Sequence, residues 1–251
     1  MHENKKKEKK PIFPYSGILL VDKPVKWTSH DVVNFVRKRF NVPKVGHCGT
    51  LDPAATGLLV LVLGKATKIS QSFSRSDKVY KAVFLLGKET DTLDMNGTVV
   101  AEKDYFNVTE TMVKKTVAKF IGNIMQIPPM VSAKKIGGKK LYELARKGKI
   151  VERKAVPVEI RSIDILMMEF PYISVRVSCS KGTYIRSLTS DIGRELGCGA
   201  VLYSLSRIKS GKYSLDNALT IDRLKEMTQE ELSGIMIQSL FELKGEKLFQ
   251  R

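Results

Sequence analysis

The apolar positions change period several times along the chain, and each change marks an element. Leu58 to Leu63 is an unbroken apolar run, which predicts a strand buried on both faces, although a buried helical segment has the same signature at this length. Gly17 to Pro24 reads as a short strand stopped by proline. Thr28, three residues before Asp31, is a capping signal for a helix that turns Val32, Val33, Val36 and Phe40 inward. Val79 to Leu86 reads as a further strand, and Asn96-Gly97 predicts a two-residue hairpin before Thr98 to Ala101. A helix from about Val108 to Ile121, opened by Asn107 with Glu110 three residues on, buries Val113, Val117 and Phe120. Ile160 to Met167 and Ile173 to Cys179 are expected strands, the second cleanly alternating. The spacing of Ile185, Leu188, Ile192 and Leu196 predicts a helix stopped by Gly197. Val201 to Ile208 is a last core strand, and Leu219 to Arg251 supplies one or two terminal helices. Helices and strands are mixed, with antiparallel pairing, so the fold class is α/β of the α+β kind.

Two stretches break this rhythm. Residues 1–13 carry five lysines and two glutamates and read as a basic flexible tail. From Gln126 to Lys154 the pattern is interrupted by Pro128-Pro129, Gly137-Gly138 and Gly148 around one short expected helix near Leu141 to Arg146. This is the signature of an inserted flap, spanning about 124–154. Between Lys134 and Lys154 it holds nine Lys or Arg against two Glu, so positive charge is concentrated where the backbone is loosest, which favours phosphate contact. The organisation predicted is a tail, one catalytic domain over 14–215 that includes the flap, and a short C-terminal helical extension over 216–251.

Composition adds a partner class. With 43% hydrophobic and 27% charged residues the 251-residue chain is an ordinary globular protein, but its net charge of +17 implies a polyanion, nucleic acid first. No stretch approaches the ~18 apolar residues that span a bilayer, and the basic start is not followed by an apolar signal region, so a cytoplasmic location is expected. Three cysteines without a close pair suggest neither a disulfide framework nor a zinc site.

Candidate chemistry centres on GHCGTLDPAATG, Gly46 to Gly57, where a single carboxylate, Asp52, stands among glycines before a proline. A residue before proline is pushed toward extended conformations, so the backbone sets the aim of Asp52. Other motifs fail on spacing. Gly64-Lys65 lacks the glycine and hydroxyl of a phosphate loop, and DTLDMNG (Asp91 to Gly97) lacks the first and last carboxylates of a calcium loop. Arg186 falls in the first turn of its helix, where the macrodipole disfavours a cation by about 0.3–1 kcal/mol, so a nearby anion such as Asp52 rationalises its placement.

The Asp52 motif, with DKPVKWTSHDVV (Asp22 to Val33), VYKAVFLLG (Val79 to Gly87), QIPPMVSAKKIGGKKLYELARKG (Gln126 to Gly148) and KGTYIRSL (Lys181 to Leu188), resembles the TruB family of tRNA pseudouridine-55 synthases. The resemblance implies a pseudouridine synthase fold with a mixed, largely antiparallel central sheet flanked by helices. It implies an isomerase for a uridine in the T-arm loop of tRNA, acting as a monomer without metal, nucleotide or other cofactor. By position it makes Asp52 the nucleophile, Tyr80 the aromatic stacked on the target base and Arg186 the partner of the aspartate. His47, Tyr184 and Leu205 then line the flipped nucleotide, and Lys23 lies near RNA phosphate. Two departures stand out. Ser206 precedes Arg207 where the family often has two arginines, an expected loss of one RNA contact. The chain also ends about 40 residues after Gly211, so a full C-terminal domain of the PUA type is not expected. Two rivals remain: a guide-RNA-dependent pseudouridine synthase, and a tRNA-binding folding factor without turnover.

Overall fold

The computed structural model describes residues 16–132, 135–136, 139–141 and 151–244. The predicted tail and, beyond Leu141, the predicted flap helix lie outside them. In chain order the elements begin β1 (Gly17–Lys23), α1 (Ser29–Arg39), β2 (Val45–His47), β3 (Thr56–Leu63), α2 (Ser70–Ser74), β4 (Lys78–Leu86), β5 (Lys88–Thr90) and β6 (Val99–Glu102). Then come α3 (Glu110–Lys119), β7 (Gly122–Gln126), β8 (Lys135–Ile136), β9 (Lys139–Lys140), β10 (Val156–Glu169), β11 (Tyr172–Cys179) and α4 (Ile185–Glu195). The last are β12 (Ala200–Ser210), β13 (Tyr213–Ser214), β14 (Leu219–Thr220), α5 (Ile221–Glu226) and α6 (Gln229–Lys244).

One ten-stranded sheet organises them, in the order β14-β1-β3-β12-β4-β11-β10-β7, with β2 beside β3 and β13 beside β12. Only β1–β14 and β3–β12 run parallel, so the sheet is mixed and largely antiparallel, as expected. β3 bears out the prediction of two-faced burial. Leu59, Leu61 and Leu63 enter a core with α1, α5 and α6, while Leu58, Val60 and Val62 enter a second with Ile18 and Tyr213. A third core lies between β4, β10, β11 and β12 and the helices α3 and α4, whose Ile185, Leu188, Ile192 and Leu196 point inward on the predicted spacing. The C-terminal region is built into this body: β14 pairs with β1, and Ile221, Leu224, Met227, Leu232 and Met236 are buried in the α1 core.

The local signals mostly held. Thr28 and Asp31 form a reciprocal capping box, and α4 ends just before Gly197, which takes φ +85°. Two expectations need correction. The cap of α3 is Thr109, which accepts from the Met112 N–H, rather than Asn107, which lies in a turn closed by Val108 N–H donating to the Tyr105 carbonyl. Asn96-Gly97 does not form a two-residue hairpin either. β5 and β6 are joined by the longer loop Asp91 to Thr98, in which the Asp94 carboxylate accepts from Asn96 N–H at 3.0 Å and from the Thr92 hydroxyl at 2.8 Å. Gly97 packs against Asp91 and Thr92 so closely that a Cβ has no room. The glycine serves a side-chain-capped loop. The flap leaves the sheet between paired residues Gln126 of β7 and Val156 of β10, an excursion between two antiparallel neighbours.

Candidate active site

The Asp52 loop is fastened from behind. Ser29, on the buried face of α1, donates to the Leu51 carbonyl at 3.1 Å and accepts from the Leu51 N–H at 2.8 Å. Lys26 N–H donates to the Pro53 carbonyl at 2.8 Å, and Cys48 N–H to the Val60 carbonyl at 2.8 Å. Arg207 of β12 reaches across to donate from Nε to the Leu58 carbonyl at 2.8 Å and from Nη2 to the Gly49 carbonyl at 3.1 Å. Gly57 lets β3 meet β12 at this level: its φ is +96°, and a Cβ there would collide with the Arg207 backbone. Asp52 therefore stands on a backbone held at several points, as its place before proline predicts.

In front of the loop lies the arginine. Arg186 is 4% exposed and its Nη2 sits 2.9 Å from Asp52 Oδ2, so the two sequence candidates do meet. Its Nη1 is 3.6 Å from Asp94 Oδ2, and the guanidinium also donates to the carbonyls of Thr92 at 3.1 Å and Val131 at 2.7 Å. The helix that carries it is clamped in turn: buried Gln126 accepts from Tyr184 N–H at 2.8 Å and donates to the Tyr184 carbonyl at 3.1 Å, and Ser187 Oγ donates to the Ile127 carbonyl at 2.8 Å. The residues at the stem of the flap and the helix that carries Arg186 thus share hydrogen bonds.

Asp52 is 39% exposed and Asp94 11%. Loss of water around Asp52 raises its carboxyl above the ordinary carboxylate range; Arg186 opposes this most strongly, Asp94 adds to it, and Lys23 pulls the other way. Arg186 thus works against the net upward shift of Asp52 that desolvation and Asp94 produce.

The remaining expected residues separate into two groups. Tyr80 and Leu205 are partly buried and pack against both the α1 core and the α4 core, so they lie at the seam where Asp52 and Arg186 meet. Burial raises the Tyr80 phenol, and the Arg207 guanidinium beside it opposes the shift, so the ring stays neutral at ordinary pH. His47 ends β2, its Nδ1 is buried without a partner among the described residues, and burial lowers its pKa, followed by the charge of Arg207. Tyr184 immediately precedes α4. Lys23 departs from expectation. It is fully buried, and its amino group donates to the carbonyls of Pro24 at 2.8 Å, Trp27 at 2.6 Å and Pro53 at 3.5 Å, which ties two loops together behind Asp52 and leaves no face for a phosphate. Burial lowers its pKa to about 8. Arg207 is likewise internal, while Ser206, where the family often has an arginine, is half-buried.

Sequence reasoning missed Asp94, Ser29, Gln126 and the inward role of Arg207. Asp94 alone had a local signal, since the side-chain-capped loop is written in DTLDMNG, the segment set aside as a failed calcium loop.

Comparisons with known proteins give the chain its relatives. The model of the TruB family pseudouridylate synthase N-terminal domain matches residues 37–185, and that of the tRNA pseudouridylate synthase B C-terminal domain matches residues 186–240. The chain is 49% identical over 203 residues to tRNA pseudouridine synthase B of Endomicrobium trichonymphae, covering 81% of this chain and 88% of that protein. It is 44% identical over 232 residues to tRNA pseudouridine synthase B of Ralstonia nicotianae, covering 91% and 74%. Among solved structures, a chain of a Cbf5-Nop10-Gar1 complex matches with a TM-score of 0.65 at 31% identity over 82% of this chain, which spans about half (52%) of that longer one. The chain belongs to the TruB family of pseudouridylate synthases.

Proposed function

We propose that the protein isomerises a specific uridine in the T-arm loop of tRNA to pseudouridine, unaided by a guide RNA, with Asp52 as nucleophile. One observation carries the reading: a carboxylate on a fastened loop, 2.9 Å from a buried arginine, in a chain whose 42–49% identical relatives bear the name tRNA pseudouridine synthase B. In the reaction the C1′–N1 glycosidic bond breaks, uracil turns without leaving, C5 bonds to C1′, the C5 hydrogen passes to solvent and N1 gains a proton. Such an isomerisation needs a nucleophile but no activated co-substrate.

Arg186 orients Asp52 and favours its ionised form. Extruding the target from the RNA loop costs a few kcal/mol of stacking, and an aromatic platform such as Tyr80 returns about 1–3 kcal/mol. Leu205 and Tyr184 border the flipped nucleotide, and His47 Nδ1, an orphan polar atom, gains a partner from it. Every group named comes from one copy of the chain, which acts as a monomer in the cytoplasm.

The test is tritium release from tRNA labelled at uridine C5. Purified protein alone is expected to release it, and Asp52→Asn to lose release by about four orders of magnitude or more while tRNA still binds. Release only with added guide RNA would move the chain to the guide-dependent class, which the weaker likeness to the Cbf5 complex represents. Binding without release under any condition would leave a folding factor.

A further inference from the structure

Beside the active site, α2, the start of β10 around Pro157 and the turn after β11 enclose an open groove of about 610 Å³. Its polar lining is Gln71, Ser74, Arg75 and Lys181, with Gly182 at the turn. The groove belongs to the catalytic end of the sheet. Lys78, Cys179 and Ser210 are register partners there, two residues along β4 from Tyr80, and Lys181 lies in the short connection between Cys179 and Arg186. The Lys78 amino group donates to the Ser74 carbonyl at 2.8 Å, which fixes α2 against that end.

Its charge is uncompensated. Arg75 and Lys181 are exposed and have no acidic partner among the described residues. Acids are close by, but Asp77 and Glu159 are both turned to Arg161, at 2.9 and 3.6 Å. Two cations, a neutral amide and a hydroxyl therefore face a trough whose β10 wall is Val156, Pro157 and Val158, and the space beside Gly182 is open. No carboxylate among the described residues lines it, which disfavours a metal ion, and the exposed cations disfavour an apolar partner. Spaced cations over an apolar wall suit a chain of phosphates joined by sugars.

We propose that this groove holds the phosphodiester backbone of the substrate RNA next to the flipped uridine, as a second RNA subsite outside the Asp52 pocket. The inference rests on reading the chain as an RNA-modifying enzyme. It is tested with the full chain, a T-arm stem-loop RNA and the Arg75→Ala/Lys181→Ala variant, whose changes are both at the surface. Loss of two phosphate contacts is expected to weaken binding roughly tenfold near 0.1 M salt and to lower the slope of log Kd against log salt by about 1.5, with saturating RNA restoring turnover. Arg75→Lys/Lys181→Arg should bind like the parent. Lys115→Ala/Arg194→Ala, which removes the same charge from α3 and the far end of α4, should bind and turn over normally. An unchanged Kd and slope in the groove variant, or an equal loss in the distant one, overturns the subsite. Tritium release by the parent protein is scored separately. A parent that turns over with an unaffected groove variant removes only the subsite; a parent without turnover whose groove variant binds weakly removes only the enzymatic reading.

Discussion

The wall behind Asp52 and the wall in front of it are built on different principles. Behind, Lys23 and Arg207 are buried cations with no carboxylate within ion-pair distance among the described residues, and they spend their hydrogen bonds on carbonyls of the loops they hold. In front, Arg186 lies between Asp52 and Asp94 and carries charge into the site. The rear wall chiefly sets position, with Lys23 adding a weaker pull on Asp52, and the front wall chiefly sets electrostatics, so substitutions in the two should differ most in their effect on rate.

The sharpest break is on the front wall. Arg186→Met leaves two carboxylates without their shared cation and strands the Thr92 and Val131 carbonyls, so the release rate at saturating tRNA should fall by about three orders of magnitude and stability should fall too, by about 3 kcal/mol or more. On the rear wall, Arg207→Met strands the Leu58 and Gly49 carbonyls. It should cost about 3 kcal/mol in a urea titration, and the surviving folded fraction should lose far less rate than Arg186→Met. Similar rate losses in the two would erase the distinction.

A smaller effect sharpens the front wall. Asp94→Asn removes a charge that raises the Asp52 pKa, so the acid limb of the pH–rate profile should move to lower pH, with a rate loss of roughly tenfold as Arg186 loses one anchor. An acid limb that stays in place would mean that Asp94 acts through loop shape alone.

The smallest effect concerns the rear wall and pH. Burial lowers Lys23 and Lys78 to about 8 from 10.5, so from pH 8 upward the unfolded chain binds more protons than the folded one and stability rises. Cys48 and Cys179, raised to about 11 from 9, act in the opposite sense above pH 9. The urea midpoint should therefore climb between pH 8 and 9 and level off beyond. Lys23→Met should remove its share of the climb, at most about 1 kcal/mol per pH unit. A climb of full size in that variant would place the titration elsewhere.

The same division explains what was legible beforehand. Asp52 could be picked out because glycine and proline constrain a backbone locally, and β3 because burial on both faces leaves an unbroken apolar run. Arg186 announced itself by sitting where a helix disfavours a cation. Arg207 and Lys23 gave no such sign. Their acceptors are main-chain atoms 149 and 158 residues away for Arg207 and 30 residues away for one bond of Lys23, and a carbonyl has no letter in the sequence. Asn96-Gly97 misled for the converse reason, because a local turn signal was overruled by Asp94 holding the loop.

Donation to main-chain oxygens has a consequence for how this site tolerates change. An oxygen on the backbone survives nearly any replacement of its own side chain, so exposed Val131 can drift without releasing Arg186, whereas Leu58 is held by its own packing in the core. The donors have no such freedom. A saturation library selected for function should show an intolerant column at Arg186 beside a permissive one at its acceptor Val131, a pattern that conventional contact maps, which treat both ends of a bond alike, would not anticipate.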